Sequence, residues 1–372
     1  MIGKNIAVVG AGIVGASVGF HLSRLGINVS VFDKNKPGSG ASDHSFAWLN
    51  AFSKHPRNYY DLNYRSLDRW PRFAENLGQD IGLRWGGNVS YCSDPEQGVR
   101  LAAECKRLNS WGYSAELITS EELANLEPNL NVGEFHTGVY TRDEGHVVPT
   151  KVAQACMKKI EENGGKVYSD TKVDSIAQSA SAVFLKIEDQ ELEFDKVVIA
   201  AGIDSSELAA TAGIHVPQRS SPGVVVKTRP LPSMIENLAS IYLPSSNYEE
   251  GEIHIRQGTD GVVLIGAGDQ ESETEDDTQE YADTLVRRAS AYFDQLSGVS
   301  AIRVPVGFRP MPEDGLPVIG FSPEHDRIYM TLMHSGVTLS PIVGAMASLE
   351  LTSDVPVDDL EPYRPSRFAL KV

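Results

Sequence analysis

Four residues near the amino terminus have the types and spacing of a nucleotide-binding motif: Gly10, Gly12, Gly15 and Asp33. The glycines follow a short apolar segment and precede a helical pattern, and Asp33 ends a second apolar segment. The first glycine permits a tight turn, the second lets a pyrophosphate approach the backbone, and the third lets the helix pack against the strand. An acid at the end of the second strand can accept hydrogen bonds from a ribose and repels a 2′-phosphate. The segment therefore predicts a bound dinucleotide other than NADP, with its phosphates at the helix N-terminus.

A second group of residues that could do chemistry lies near the carboxyl terminus. A run of turns and short strands over residues 304–320 contains Arg309, and a strand, Ile328 to Leu332, follows it. Beyond that strand, Ser340 is predicted to cap a helix that begins at Pro341 and directs its partial positive charge at residues 336–340. Two separate ligand-binding segments suit FAD better than NAD, because FAD is long and its adenosine and flavin ends need different parts of the chain.

The residues between these groups predict the loops that position them. A loop of small residues from Lys36 to His44 either wraps the middle of an extended dinucleotide or is a plain surface turn. The apolar run Phe46 to Phe52 is expected to be buried. In the strand Glu252 to Gln257, alternation places His254 and Arg256 on the polar face, which borders either solvent or a pocket.

Periodicity predicts the larger elements. One helix is expected from about Asn58 to Leu77 and another from about Asp277 to Leu296, while Lys172 to Ile176 is expected to form a short strand. The apolar segment Lys196 to Ala200 ends in small residues, including Gly202, which is typical of a parallel strand whose carboxyl end meets a ligand.

Composition limits the class of protein. At 372 residues the chain is long for one core, so two lobes are expected. The net charge of -17 disfavours nucleic acid and anionic membrane surfaces as partners. Three scattered cysteines predict neither a disulfide framework nor a metal site. A first strand that begins a few residues after Met1 and the lack of a long apolar run predict a cytoplasmic protein without membrane insertion.

Taken together, the motifs resemble those of the D-amino acid oxidase superfamily, in the branch of glycine oxidase, sarcosine oxidase and related amine dehydrogenases. The resemblance spans nearly the whole chain, and its most specific part is Gly307-Phe308-Arg309-Pro310 joined to Asp314-Gly315-Leu316-Pro317-Val318-Ile319-Gly320. The other matching segments are residues 10–15 with Asp33, Gly40-Ala41-Ser42, Gly145-His146-Val147-Val148-Pro149, Ala200-Ala201-Gly202 and His334-Ser335-Gly336.

The resemblance implies an α/β fold: a Rossmann-like FAD-binding domain built from discontinuous segments, plus a sheet-rich α+β substrate domain. We predict the FAD-binding domain over residues 1–82, 145–215 and 303–372, and the substrate domain over 83–144 and 216–302. The implied reaction moves a hydride from the carbon that bears a substrate nitrogen to flavin N5, and water then hydrolyses the imine. The substrate implied by the resemblance is a small amine or amino acid, with O2 or another acceptor to reoxidise the flavin.

The predicted site residues fall into three groups. Cofactor contacts are assigned to Gly10, Gly12, Ile13, Val14, Gly15, Asp33, Lys34, Gly40, Ala41, Ser42, His44, Val173, Ala201, Gly202, Gly307, Arg309, Gly336, Val337 and Thr338. Substrate contacts are assigned to Trp48, Tyr242, His254, Arg256 and Arg309. Catalytic roles are assigned to His44, Arg309 and His334, with Arg309 binding a substrate carboxylate through its planar fork.

Two alternatives to this function remain open from the sequence. The chain could be a flavin-binding subunit that relays electrons within a hetero-oligomeric dehydrogenase, or it could oxidise a 2-hydroxy acid. The sequence departs from the family pattern at Met333, where a glycine is common, and no lysine stands out as an oxygen-activating residue.

His44 carries its own open prediction. In relatives that act as dehydrogenases of dimethylglycine and sarcosine, a histidine at the matching spacing from the loop glycine is bonded to the flavin 8α carbon, and Gly40 and His44 reproduce that spacing. Asp43, however, stands where those relatives have tryptophan. His44 is therefore expected either to bond covalently to the flavin, to contact flavin or substrate without a bond, or to hold the loop together.

Overall fold

The computed structural model of the chain describes residues 4–244, 251–268 and 274–369. The helices in these ranges are α1 Ile13–Arg24, α2 Arg57–Leu67, α3 Trp70–Leu77, α4 Pro95–Ser110, α5 Ser120–Leu126, α6 Pro149–Glu162, α7 Ser205–Ala210, α8 Gln279–Ser290 and α9 Gly336–Ser353. The strands are β1 Asn5–Val9, β2 Asn28–Phe32, β3 Trp48–Leu49, β4 Arg84–Trp85, β5 Asn88–Cys92, β6 Ala115–Ile118, β7 Thr137–Thr141, β8 Gly145–His146, β9 Lys166–Tyr168, β10 Ser175–Gln178, β11 Val183–Ile187, β12 Gln190–Phe194, β13 Lys196–Ile199, β14 Gln218–Arg219, β15 Pro222–Gly223, β16 Val225–Lys227, β17 Ser240–Leu243, β18 Ile253–Gln257, β19 Val263–Ala267, β20 Gly307–Phe308, β21 Met311–Pro312, β22 Val318–Phe321 and β23 Ile328–Leu332. Within those ranges, none of the helices combines the length and the hydropathy that a bilayer-spanning segment needs.

A six-stranded sheet in the order β22-β23-β13-β1-β2-β9 supports the glycine motif. All neighbouring pairs are parallel except β22 with β23. Its strands are apolar because both faces are covered. Ile6 and Val8 of β1 pack with α1, α6 and α9, whereas Ala7 and Val9 pack toward the sheet β10-β11-β12. The carboxyl ends of β1, β2 and β13 meet at one edge, where a ligand is expected.

A seven-stranded sheet, β16-β19-β18-β17-β5-β7-β6, forms the second layer of the molecule. Its pairs are antiparallel except for β17 with β5. The inward residues of β17, β18 and β19, such as Ile241, Ile253 and Ile265, pack on Leu285 and Ala289 of α8. The outward face of β17 and β18 carries the residues that form one wall of the cavity described below.

The predicted fold class is confirmed, since a mainly parallel sheet with helices stands beside a sheet-rich layer. The proposed domain boundaries stay a prediction, and residues 245–250 and 269–273 of the proposed substrate domain lie outside the described residues.

The predicted single helix from Asn58 to Leu77 is wrong, because the chain forms α2 and α3 with a break at residues 68–69. Pro71 lacks the amide that would donate to the carbonyl four residues earlier, so the first helix cannot continue through it. The break turns Trp70 inward, where its Nε1 donates to the carbonyl of Thr338 at 3.1 Å.

The predicted start of the last helix is also wrong. This helix, α9, begins at Gly336, with Ser335 as its N-cap, and Pro341 lies inside it. The proline leaves the carbonyl of Val337 without the usual amide donor, and the hydroxyl of Ser340 donates to that carbonyl instead, at 3.1 Å. The helix N-terminus therefore lies earlier in the chain than the cap signal indicated.

Two further predicted boundaries differ from those in the structure. The helix expected over residues 277–296 ends at Ser290 and is followed by a short 3-10 turn. Lys172 and Val173 are irregular, and the strand there begins only at Ser175. The irregular backbone at Val173 borders the cavity instead of pairing with a sheet.

Candidate active site

One large cavity, of about 620 Å³, runs from the carboxyl edge of the six-stranded sheet to the seven-stranded sheet. The nucleotide end is bordered by Gly10, Gly12, Asp33 and residues 171–174. The far end is bordered by Trp48, Tyr242, His254 and other side chains of the second sheet and of the loops. The two groups of residues singled out in the sequence thus face a single elongated space.

The three motif glycines have different structural tasks. A Cβ on Gly10 would lie 2.2 Å from the carbonyl oxygen of Ala200, and the φ of Gly10 is +107°, which disfavours any other residue. A Cβ on Gly15 would lie 2.0 Å from the carbonyl oxygen of Gly10, so Gly15 serves helix packing and does not border the cavity. A Cβ on Gly12 would meet only the Ser42 hydroxyl oxygen, at 3.5 Å, so its bare backbone opens into the cavity.

The carboxylate of Asp33 is held at the nucleotide end by two backbone amides. Ala11 N donates to Oδ2 at 2.6 Å, and Asn35 N donates to Oδ1 at 2.8 Å. Burial raises the pKa of Asp33 above its usual value, although both amides oppose that shift. Nearby, Lys34 forms an ion pair with Asp204 at 2.6 Å, which ties the end of β2 to the segment after β13.

The N-terminus of α9 borders the cavity through residues 335–338. The first amides of a helix have no partner within it, so this end can bind a group that carries negative charge. Thr338 is fixed there because Asn50 N donates to its hydroxyl at 3.3 Å and the hydroxyl donates to Trp48 O at 3.2 Å. A Cβ on Gly336 would lie 2.9 Å from Val14 Cγ2, so glycine allows the two helix starts to approach.

These features fit FAD. Gly12 supplies a backbone cradle that a Cβ would fill, and Ser42 Oγ accepts a hydrogen bond from Ile13 N at 3.1 Å beside it. Two helix N-termini, those of α1 and α9, open into the same elongated cavity. One can hold a pyrophosphate, and the other can hold the electron-rich edge of a reduced flavin.

Aromatic rings form a continuous wall at the substrate end. Phe46 and His254 are 4.4 Å apart between ring centroids, His254 and Tyr242 are 5.0 Å apart, and Tyr242 and Trp48 are also 5.0 Å apart. His254 has room because Gly266 lies opposite it in β19, where a Cβ would come within 2.1 Å of the His254 ring. The sequence left two alternatives for the polar face of β18, solvent or a pocket. At His254 this face is buried and borders the cavity.

Arg309 borders the same cavity and is fixed by the backbone. Its guanidinium donates to the carbonyl of Pro222, and a Cβ on Gly223 would lie 2.4 Å from Arg309 Nη2. The pairing of β15 with β20 brings these segments together. A small residue beside the guanidinium thus leaves space for the planar fork.

His334 lies in the cavity lining and is neutral at ordinary pH. Burial lowers its pKa to about 3, with further contributions from the positive charges of Lys54, Arg309 and Arg219. It can therefore donate or accept a hydrogen bond, but it holds no proton to give up as an imidazolium near pH 7.

His44 faces the cavity at the end of the small-residue loop. Its Nδ1 lies 3.1 Å from the carbonyl oxygen of Gly40, and because a carbonyl only accepts, Nδ1 carries the proton. In the neutral form of the ring, Nε2 is then the nitrogen with the lone pair. The backbone of Gly307 packs tightly on this side chain, since a Cβ there would lie 2.4 Å from His44 Cβ.

The structure also adds two residues that the sequence reasoning missed. Lys54 borders the cavity and is only 6% exposed. Glu144 lies behind Trp48: its carboxylate accepts from Trp48 Nε1 at 2.7 Å and from Tyr113 Oη at 2.5 Å. Burial raises the pKa of Glu144 to about 8. One feature of the sequence could have indicated that Lys54 borders the cavity, namely its position just after the apolar run of residues 46–52. No feature of the sequence indicated the buried position of Glu144.

Most of the predicted site residues come together in the cavity. Those that border it are Gly10, Gly12, Ile13, Val14, Asp33, Lys34, Gly40, Ala41, Ser42, His44, Trp48, Val173, Ala201, Gly202, Tyr242, His254, Gly307, Arg309, His334, Gly336, Val337 and Thr338. Arg256 does not: it is 2% exposed and donates to the carbonyl of Phe46, behind the cavity wall. The alternation along β18 predicted the correct face for Arg256, but the long side chain extends past the cavity to the backbone of Phe46.

Comparison with known proteins identifies the relatives of this chain. The family model described as FAD dependent oxidoreductase matches residues 5–348. A subunit of opine oxidase from Agrobacterium tumefaciens (strain Ach5) is 25% identical over 98% of this chain and 97% of that protein. Glycine oxidase of Geobacillus kaustophilus (strain HTA426) is 26% identical over 99% of this chain and 98% of that protein. The crystal structure of glycine oxidase from Geobacillus kaustophilus superimposes with a TM-score of 0.85 over 98% of this chain and 99% of that one, at 25% identity. The chain therefore belongs to the D-amino acid oxidase family of FAD-dependent oxidoreductases, in its glycine oxidase-like branch.

Proposed function

We propose that this enzyme oxidises the C–N bond of a small amino acid or carboxylate-bearing secondary amine, giving an imine that water hydrolyses. The observation that carries the proposal is the placement of Arg309, fixed by the Pro222 carbonyl, in the same cavity as the Gly12 backbone and the α9 N-terminus. FAD, when bound, supplies the acceptor for the hydride.

The residues of the chain bind and orient the substrate. Arg309 offers two parallel donors to a carboxylate, which fixes the neighbouring carbon relative to the cofactor site. The rings of Trp48, Tyr242 and His254 cover the apolar part of a small substrate and exclude water from it. His334, which stays neutral because of its low pKa, adds no positive charge next to the substrate amine.

The proposal is tested by anaerobic bleaching of the FAD-loaded protein. We expect amino acids or secondary amines with a carboxylate to reduce the flavin, and amines without one to do so poorly. Arg309→Lys should keep FAD but lose about tenfold to hundredfold in kcat/KM, because an ammonium cannot reproduce the fork. Arg303→Lys, at an exposed arginine paired with Asp277, is the matched control. If the wild-type protein and Arg309→Lys have the same kcat/KM for a substrate with a carboxylate, Arg309 does not bind that carboxylate.

The similarity to a subunit of opine oxidase supports a second candidate, a flavoprotein that works within a hetero-oligomer. The same bleaching experiment separates the two. Reduction of the flavin in the isolated chain favours the independent enzyme. An isolated chain that binds FAD, yet is bleached by no amine, amino acid or hydroxy acid, favours the hetero-oligomer.

A further inference from the structure

A second concavity, of about 530 Å³, lies where α1, α2, α3 and α9 meet, and we call it the arginine pocket. Four arginines from separate parts of these elements border it: Arg24, Arg65, Arg69 and Arg72. Its described lining holds one carboxylate, that of Asp68, and shares no residue with the active cavity. The arginine pocket is therefore a separate, positively charged surface on a chain whose net charge is -17.

Aromatic contacts hold the two helices that carry most of these arginines. Phe73 of α3 packs edge-on against Phe20 of α1, with 5.6 Å between ring centroids, and stacks on His21 at 5.8 Å. His21 has room because a glycine, Gly344, lies beside it in α9, where a Cβ would come within 2.9 Å of His21 Cδ2. The backbone that carries the arginines is thus fixed by packing, so a ligand would not have to order it.

Three of the four arginines have no carboxylate partner in the described parts of the chain. Arg65 pairs with Asp359 at 2.9 Å, and the guanidinium of Arg24 lies over the ring of Phe20, 5.5 Å from its centroid. The guanidinium groups of Arg69 and Arg72 make no hydrogen bond or ion pair with any described residue. These charges are therefore available to a ligand.

The positive charges also act on one common group, His21. Burial lowers the pKa of His21 to about 4, and the charges of Arg24 and Arg69 lower it further in the same direction. Its Nε2 is buried without a hydrogen-bond partner among the described residues. The guanidinium groups of α1 and of the start of α3 therefore lie around the same place.

The arrangement favours one kind of anion. An exposed arginine is well solvated and needs no partner, so convergence from two helices is what indicates a ligand. A carboxylate is planar and a single guanidinium fork matches both of its oxygens. A phosphate group carries close to two negative charges at neutral pH and three acceptor oxygens that point in different directions, which suits guanidinium groups that approach from separate helices.

We propose that the arginine pocket binds an anion that carries a phosphate group, and that Arg24, Arg69 and Arg72 bind its oxygens. The site lies outside the active cavity, and the proposal does not depend on the proposed function.

Calorimetric titration of the FAD-loaded protein tests this proposal. Inorganic phosphate, pyrophosphate and acetate are titrated separately at one constant ionic strength, because screening by salt changes the affinity of exposed charges. Loading with FAD keeps the probes out of the pyrophosphate site expected at Gly12. We expect one saturable site per chain for phosphate, tighter binding of pyrophosphate, and no saturable binding of acetate.

Matched variants locate the site. Arg69→Gln and Arg72→Gln should each weaken the binding of pyrophosphate about tenfold to hundredfold, because each removes a charge-assisted hydrogen bond. Arg229→Gln changes the net charge equally, at an exposed arginine outside both linings, and should keep the wild-type affinity. All three side chains are exposed, so the variants should fold and keep FAD, which the visible spectrum checks.

A phosphate monoester shows the source of the anion. Glycerol 3-phosphate that binds more tightly than inorganic phosphate indicates the phosphate group of a larger molecule, whereas weaker binding indicates the free ion, and both results keep the site.

Three results would overturn the proposal. The first is the absence of saturable binding of phosphate and pyrophosphate, and the second is binding that Arg69→Gln and Arg72→Gln leave unchanged. The third is acetate, or a hexaglutamate peptide, that binds at Arg69 as tightly as pyrophosphate does. Such a peptide would make the pocket a docking surface for an acidic protein segment.

Discussion

Gly12→Ala should separate cofactor binding from folding. The φ of Gly12 is -65° and its ψ is 171°, which alanine adopts without strain, and the added methyl would meet only Ser42 Oγ at 3.5 Å. The free energy of unfolding of the FAD-free protein should therefore stay the same or rise by about 0.4–1 kcal/mol, because alanine restricts the unfolded chain.

The cost should appear in the affinity for FAD. The methyl group would occupy the backbone surface that a pyrophosphate approaches, and loss of one hydrogen bond to a charged group costs about 1.5–3 kcal/mol. The dissociation constant should therefore rise about tenfold to hundredfold. It can be measured by quenching of flavin fluorescence as FAD-free protein is added.

Gly10→Ala is the contrasting variant. Its Cβ would lie 2.2 Å from Ala200 O and its φ is +107°, so this change should lower the thermal midpoint of the FAD-free protein as well. The reasoning is refuted if Gly12→Ala binds FAD as tightly as the wild-type protein. It is equally refuted if Gly12→Ala unfolds at as low a temperature as Gly10→Ala.

Two further predictions concern single ionisable side chains. Burial raises the pKa of Glu144 from 4.5 to about 8, so the folded state keeps a proton that the unfolded state loses, and the contribution of this side chain to the free energy of unfolding should fall by up to about 5 kcal/mol as the pH rises from 4.5 to 8. Buried histidines such as His334 change the stability in the opposite direction over part of this window, so the contribution is measured as a difference between variants: denaturant titrations at both ends should show that the wild-type protein and Glu116→Gln, an exposed control, lose stability relative to Glu144→Gln, and the same pH dependence in all three would contradict it. His44 borders the cavity and its Nδ1 is occupied by the carbonyl of Gly40, which leaves Nε2 for the flavin, so acid precipitation decides between its two flavin-contacting roles: a yellow pellet that turns colourless in His44→Ala establishes a covalent bond, and flavin left in the supernatant excludes it.

The nucleotide end was predictable because its chemistry is local in sequence. The placement of Gly10, Gly12 and Asp33 follows from turn geometry and from the alternation of strand and helix, and all three border one end of the cavity, while the cofactor contacts assigned to them stay predictions. The start of α9 was not predictable from Ser340 and Pro341, because the carbonyl left open by the proline is satisfied by a side chain, which no local rule signals.

The substrate end depends on contacts between distant segments. Lys54 borders the cavity and follows a segment, residues 47–51, that is buried. Glu144 accepts a hydrogen bond from Trp48, although the two residues are far apart in the sequence. For Arg256 the sequence predicted the correct strand face but not the position of the guanidinium, which donates to the carbonyl of Phe46 and does not border the cavity. Side chains brought together from such separate segments are identified only once the tertiary packing is known.

The proposed function makes substrate oxidation and flavin reduction a single event in this cavity. It is tested most directly by anaerobic titration of the FAD-loaded wild-type protein with its best amine substrate, following flavin absorbance and the carbonyl product together. We expect one equivalent of substrate to bleach the flavin fully and to release one equivalent of carbonyl compound. Carbonyl product without bleaching, or bleaching without product, would contradict it.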